Sequence, residues 1–580
     1  MTTTSGTGSS SGAGATGTGG LPGGEGRTPD GRPAPPGPAA TRPDTSGRTT
    51  NNATGPAHDA EGGPARATRT TWLLRGLGLA LAVLVYFLLG GAAELPEEGR
   101  LVAAIAVLMA TWWMTEAIPL SATALVPIVA LPVLGVLTVP EATAPYANPI
   151  VFLFLGGFLI AIAMQKWGLH RRIALMTLRA FGTHPRRIIL GMMVSTAFLS
   201  MWVSNTATTL MMLPIAMSIL TLVVDRASGG SRADKAEVKD AIHDGQTAIS
   251  EAVADPAVKT FGVGLILSVA WAASIGGLGT LLGSPPNAIV AGYVNDELGL
   301  SIGFLQWMVL GVPLGAVFIV VAWLLITRVL FRSTLGEIDG GREMIQEQLD
   351  EMGSMSRGEK CVAAVFASAA FLWIVPGLLS NIPALGEAAP WLGELNDTAI
   401  AIAAGLALFI IPAEKGGRMA LGWEDAQKGL PWGVLLLFGG GLSLAGAVAS
   451  SGLDVWIGAQ VTPLGVLPLI LLVAAVVGLI LLLTEVTSNT ATAATFIPVL
   501  GGVALGLGVD SLALLIPAAL AATCAFMLPV GTPPNAIVFA TGKVTIGEMV
   551  RGGIVLNITG VILITLATYL LGGLAFGISF

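Results

Sequence analysis

From Thr71 onward the chain is a succession of apolar runs, most about 20 residues long, the length at which a helix spans the hydrocarbon core of a bilayer. These runs predict membrane helices near 72–91, 101–118, 119–139, 149–168, 260–295, 304–330, 358–380, 397–412, 431–450, 511–541 and 552–576. Two further runs, 187–224 and 464–507, are too long for one crossing, and each is broken at its centre by a polar Ser-Asn-Thr cluster. Each reads as a re-entrant hairpin of two half-helices meeting inside the membrane. Non-helical backbone at that depth is tolerated only where protein or a water-filled cavity satisfies it. The pattern predicts an all-α polytopic membrane protein with about eleven transmembrane helices and two re-entrant hairpins.

Composition agrees. Of 580 residues, 53% are hydrophobic and 11% charged, whereas a soluble domain carries about 25% charged residues. The net charge of −7 gives no footing for nucleic acid. Cys361 and Cys524 lie far apart in apolar runs, without metal-ligand spacing. His58, His170, His184 and His243 fall in the N-terminal tail or in loops. No nucleophile–base pair or Walker-type loop is present, so an enzyme is not expected. Residues 1–70 are rich in Gly, Thr, Ser, Pro and Ala and predict a disordered tail, because such a segment buries too little apolar surface to offset its ordering entropy. It lacks the short apolar core of a signal peptide.

Charge orients the spans. With the N-terminus inside and each hairpin returning to its own side, the basic residues Lys166 to Arg187, Arg226 to Lys259, Arg328 to Lys360, Lys415 to Lys428, Lys543 and Arg551 all fall inside, and Arg100 falls outside. Enrichment of Lys and Arg on the cytoplasmic side is the expected bias. Arg75 is expected to snorkel to the inner interface, and Glu116, at a span end beside Pro119, to be structural.

The chain also repeats itself. Ser204-Asn205-Thr206-Ala207-Thr208 with Pro214 recurs as Ser488-Asn489-Thr490-Ala491-Thr492 with Pro498. Gly283-Ser284-Pro285-Pro286-Asn287 recurs as Gly531-Thr532-Pro533-Pro534-Asn535, and Phe154-Leu155-Gly156-Gly157 as Phe438-Gly439-Gly440-Gly441, in the same order. In the charge-derived topology the span at 149–168 runs inward and its mate at 431–450 outward. The halves are therefore expected to be inverted repeats: residues 71–335 with the hairpin 187–224, and 358–580 with the hairpin 464–507, joined by a cytoplasmic linker at 336–357. Transporters built this way place their site at the midplane between repeats.

The motifs carry matching chemistry. Pro286 and Pro534 lack an N–H and disfavour helix in the residue before them. A helix broken there exposes carbonyls to a hard cation and a half-helix N-terminus to an anion. The available ligands are neutral oxygens, which suit a hard cation. Ser200 with Ser204, and Thr484 with Ser488, are spaced i, i+4 and are expected on one face of a half-helix. Two repeats would then build two cation sites flanking one anion site.

The paired tips, the paired breaks and Trp112-Trp113-Met114-Thr115-Glu116-Ala117-Ile118-Pro119 together resemble the divalent anion/sodium symporter family over roughly residues 72–580. The resemblance implies one sodium at Ser200, Ser204, Asn205 and Gly283, and a second at Thr484, Ser488, Asn489 and Gly531. It implies that substrate carboxylates are held by Asn205, Thr206, Ser284, Asn489, Thr490, Thr532 and Pro533. It further implies a homodimer in the cell membrane whose transport domain moves like an elevator, with C4 dicarboxylates such as succinate, malate and fumarate as substrates. Gly531 stands where some relatives carry Ala, a change that a backbone carbonyl ligand should survive. Sodium-independent exchange, or symport of sulfate or citrate, remains open. So does Glu485, whose repeat mate is Met201: it can aid a cation, carry a proton or pack helices.

Overall fold

The computed structural model describes residues 69–92, 94–227, 249, 253, 255–338, 340–380, 382, 384, 391, 395–414, 416–462 and 467–580. The tail to residue 68, His58, His243 and most of the polar loop near 225–258 lie outside these residues. Among the described residues the chain is helical, with one isolated bridge between Pro412 and Met419.

The chain opens with α1 (Arg69–Leu88) and α2 (Glu97–Thr115), which pack together. The second helix ends at Glu116, whose φ of 47° is left-handed and cannot continue a helix. Three side-chain bonds fix this stop. Trp113 Nε1 donates to Leu120 O at 3.1 Å, Trp112 Nε1 to Arg75 O at 3.3 Å, and Arg75 Nε to Ala117 O at 2.9 Å. Arg75 thus caps a neighbouring helix end, where snorkelling alone was expected. The predicted span 119–139 is two short pieces, α3 (Leu120–Thr123) and α4 (Val126–Val133), the latter containing Pro127 and Pro132.

After α5 (Val139–Thr143), one succession of elements occurs twice. In the first half it is α6 (Pro149–Lys166), α7 (Leu169–Phe181), α8 (Pro185–Ser200), α9 (Asn205–Ala227), α10 (Pro256–Gly276), α11 (Pro285–Glu297) and α12 (Phe304–Leu325). The connection contains α13 (Gly341–Glu351), a helix inside the predicted linker, followed by α14 (Arg357–Ser380), α15 (Asp397–Ile410) and α16 (Trp423–Gly429). The second half is α17 (Trp432–Ser450), α18 (Leu453–Val461), α19 (Leu469–Val486), α20 (Asn489–Leu507), α21 (Leu512–Ala522), α22 (Pro533–Ala540) and α23 (Ile546–Phe576). The match extends to Gly168 and Gly452, which open α7 and α18 with φ of 71° and 70°, a left-handed conformation that glycine adopts without strain.

Among the described residues ten helices are long and apolar enough to cross a membrane, and three of them (Asn205–Val224, Leu469–Val486 and Asn489–Leu507) are arms of the two hairpins. The apolar runs at 260–295 and 511–541 are each split into two helices by an unwound segment. The diglycines let these layers approach: an added Cβ would strike the Ala401 backbone from Gly156 and the Ala124 carbonyl from Gly440.

At one end, α7 is amphipathic and carries Arg172, which is buried. Its guanidinium meets Glu359 of α14 at 2.7 Å and donates to Gly353 O at 2.9 Å. Satisfying every partner in this way is the condition for tolerating a buried ion pair.

Candidate functional site

The first tip lies where α8 ends at Ser200 and α9 begins at Asn205, facing the segment 277–284 between α10 and α11. Ser200 Oγ lies 2.6 Å from Asn205 Oδ1 and 2.7 Å from Ala273 O. The Asn205 carboxamide can present either end to this ring. Its nitrogen would donate to Ser200 Oγ, Ala273 O and Gly283 O at 2.6, 3.0 and 3.1 Å. Its oxygen would complete a ring of four neutral oxygens. Glycine is required on two sides: a Cβ at Gly277 would lie 2.7 Å from Asn205 Oδ1, and one at Gly283 2.6 Å from Gly277 O.

The second tip repeats this geometry. Thr484 Oγ1 lies 2.7 Å from Asn489 Oδ1 and 2.8 Å from Ala522 O. The nitrogen end of Asn489 would donate to Thr484 Oγ1, Gly531 O and Ala522 O at 2.7, 2.9 and 3.1 Å. Here a Cβ at Gly531 would sit 3.0–3.1 Å from the Glu485 and Thr484 carbonyls, so alanine at 531 demands a small shift of the ring as well as preserving the carbonyl.

Each ring thus joins one hydroxyl, one carboxamide and two main-chain carbonyls. Such neutral oxygens suit a hard, weakly charged cation. Among the described residues no group of three His, Cys, Asp or Glu side chains could hold a metal ion.

The structure sorts the predicted residues. Ser200, Asn205 and Gly283 come together, as do Thr484, Asn489 and Gly531. Ser204 and Ser488 lie beyond the ends of α8 and α19, so neither continues the face of its half-helix. Ser204 Oγ accepts from Ala207 N at 3.3 Å, and Ser488 is the N-cap of α20. Thr206 and Thr490, in the first turns of α9 and α20, are half-buried. Ser284 and Thr532 are buried at the N-termini of α11 and α22, and Pro533 is exposed beside them. Both helices open on two prolines, which have no N–H, and the amides of Asn287 and Asn535 are taken by Ser284 O and Thr532 Oγ1. What these starts offer an anion is therefore the positive end of the helix dipole.

Sequence reasoning missed several participants. Ala273 and Ala522 act through carbonyls, for which side-chain identity gives no signal. Thr523 donates to Ser284 Oγ at 3.0 Å and so joins the two unwound segments. Glu485 is now placed: its carboxylate accepts from Phe526 N (2.7 Å), Met527 N (3.0 and 3.1 Å), Leu528 N (2.9 Å) and Asn557 Nδ2 (2.7 Å). It replaces the main-chain acceptors that α21 lost on unwinding. In the first half the matching amides of Leu278 and Gly279 bond Ile275 O and Gly276 O instead, and the residue matching Glu485 is Met201.

A helical membrane protein whose irregular backbone is gathered in two matched breaks, each facing a hairpin tip, has the build of a membrane transporter. The family described as "Sodium:sulfate symporter transmembrane region" matches residues 70–576, and the chain belongs to that family. It is 41% identical over 504 residues to the protein named "Sodium-dependent dicarboxylate transporter SdcS" of Staphylococcus saprophyticus, covering 85% of this chain and 91% of that one. It is also 41% identical over 519 residues to the protein of the same name in Staphylococcus aureus, covering 89% and 93%. Among solved structures it is similar to the YdaH transporter of Alcanivorax borkumensis, with a TM-score of 0.49, 11% identity, and 83% and 99% of the two chains covered.

Proposed function

We propose that this protein is a secondary active transporter coupling sodium to the movement of C4 dicarboxylates such as succinate, malate and fumarate. The observation that carries the proposal is the pair of matched oxygen rings. Each has the ligand types sodium takes, with Asn205 or Asn489 turned oxygen-inward. The predicted substrate residues on both tips and breaks are uncharged. Two sodium ions would therefore supply the positive charge a dianion needs, and the hydroxyls of Thr206, Ser284, Thr490 and Thr532 with the helix N-termini would bind its carboxylates. The names of the staphylococcal relatives support both the cation and the substrate class.

In this reading the two halves are inverted repeats, the hairpins are re-entrant, and the N-terminus is cytoplasmic in the cell membrane, as the distribution of Lys and Arg supports. The tips and breaks would travel as one body in an elevator motion against a scaffold shared by a homodimer.

The test is uptake of radiolabelled succinate into proteoliposomes under an inward sodium gradient or with potassium replacing it. Accumulation only with sodium supports symport. Sodium-indifferent uptake that requires internal dicarboxylate makes the protein an exchanger. Sodium-driven uptake of sulfate or citrate without succinate keeps the coupling and changes the cargo. In the symport case Ser200→Ala and Thr484→Ala each raise the half-saturating sodium concentration by about tenfold, the effect of one lost hydrogen-bonding ligand.

A further inference from the structure

One residue in each Pro-Pro-Asn motif is left without a role by the transport reading. Asn287 and Asn535 occupy the third position of α11 and α22, one residue beyond the proline pair, and both are completely buried. Asn287 Nδ2 donates to Gly277 O at 2.9 Å and Thr280 O at 2.8 Å. Asn535 Nδ2 donates to Ala525 O and Leu528 O, both at 3.1 Å. The spacing is the same in the two halves: each amide reaches back ten and seven residues across its unwound segment.

The bonds sort the carbonyls of that segment. An unwound stretch between two helices frees several carbonyls at once. Here Leu278 O is taken by Trp307 Nε1 and Phe526 O by Trp271 Nε1, and others compete for a nearby cation. The asparagine takes two of them. The one that stays in the ring is Gly283 O in one half and Gly531 O in the other, joined there by Ala273 O and Ala522 O from the last turns of α10 and α21. The clamped residues abut the ligand-bearing ones: a Cβ at Gly283 would lie 2.6 Å from Gly277 O, and one at Gly531 2.9 Å from Ala525 Cβ.

Packing alone does not explain the choice of asparagine. The acceptor ends, Asn287 Oδ1 and Asn535 Oδ1, are both buried without a hydrogen-bond partner. An orphaned acceptor of this kind costs about 1–3 kcal/mol. Both halves keep that cost at the same place, so it is the two donors that the position needs.

We infer that Asn287 and Asn535 are positioning residues that set the ligand set of the two cation rings, by withholding the 277/280 and 525/528 carbonyls and leaving those of 283 and 531 facing the cation. The inference rests on the sodium-coupled reading. Neither residue touches the cation or the substrate.

The experiment is succinate uptake by purified protein in proteoliposomes across a sodium titration, with lithium as the competing cation, for Asn287→Ala and Asn535→Ala. Each variant raises the half-saturating sodium concentration by about tenfold and narrows the preference for sodium over lithium. The half-saturating succinate concentration, measured at saturating sodium, stays within about twofold of the parent. Asn287→Ser and Asn535→Ser keep one donor and show smaller shifts in the same direction, which covers an alanine variant that fails to fold. An unchanged sodium curve in folded variants overturns the inference. So does a common rise in sodium and succinate requirements that tracks a fall in Tm. Sodium-indifferent uptake by the unaltered protein would sink the transport reading instead, and the two failures are distinguishable.

Discussion

Thr523 Oγ1 donates to Ser284 Oγ at 3.0 Å, and through this bond the unwound segment of one half touches that of the other. Both hydroxyls are buried. Ser284 opens α11, where a carboxylate would meet the helix N-terminus, so Thr523 fixes the direction in which the serine hydroxyl points.

Thr523→Val removes the donor and keeps the shape. Loss of one neutral hydrogen bond is worth about 1 kcal/mol, so half-saturating succinate in the uptake assay is expected to rise about fivefold. Thr523→Ser restores the donor and stays near the parent value. Equal behaviour of the two variants would assign the site to packing.

Glu485 serves main-chain amides in place of a cation. Glu485→Ala leaves the amides of Phe526, Met527 and Leu528 without their acceptor. Each buried orphan costs about 1–3 kcal/mol, so thermal unfolding in detergent should show a large fall in Tm. Glu485→Gln retains one acceptor oxygen and falls less. A full Tm in the alanine variant, with lost sodium dependence, would return Glu485 to the cation.

Glycine at 277 is a steric requirement. Gly277→Ala drives a methyl group into the Asn205 carboxamide and is expected to abolish sodium-dependent uptake. Gly478, inside α19, has nothing within 4 Å of an added Cβ. Gly478→Ala therefore leaves uptake intact and adds up to about 1 kcal/mol through helix propensity. Uptake by both variants at the parent rate would contradict the ring geometry.

His170, on α7, has its imidazole held below the ordinary value near 6.5 by burial. The bond of its Nδ1 to Met164 O opposes this shift, and the charge of Arg171 adds to it. The unfolded chain therefore binds the proton more readily than the folded one. The stability His170 contributes is fully present above about pH 6.5 and is lost as pH falls toward the lowered value. A Tm series from pH 7.5 to 5 should decline, and His170→Gln should flatten that decline. An unaltered slope in the variant would remove His170 as its source.

The sequence by itself determined the class and most of the residues that come together at the two tips. Long apolar runs leave a chain no choice but membrane helices, and the twice-used Ser-Asn-Thr and Pro-Pro-Asn motifs mark where those helices break, because proline and unpaired backbone act locally. Ser200, Asn205 and Gly283, with their mates Thr484, Asn489 and Gly531, were legible for that reason. Tertiary structure decided what depends on residues far apart in the chain. Ala273 and Ala522 join the rings through carbonyls any residue would supply. Thr523 reaches Ser284 from 239 positions away. Ser204 and Ser488 left the face their spacing suggested because α8 and α19 stop before them. Glu485 stood equally well for ligand, proton carrier or packing until the amides of 526–528 were found on its carboxylate. A carboxylate's role is set by the donors the fold brings to it, and those donors belonged to a helix whose unwinding only the packed structure displays.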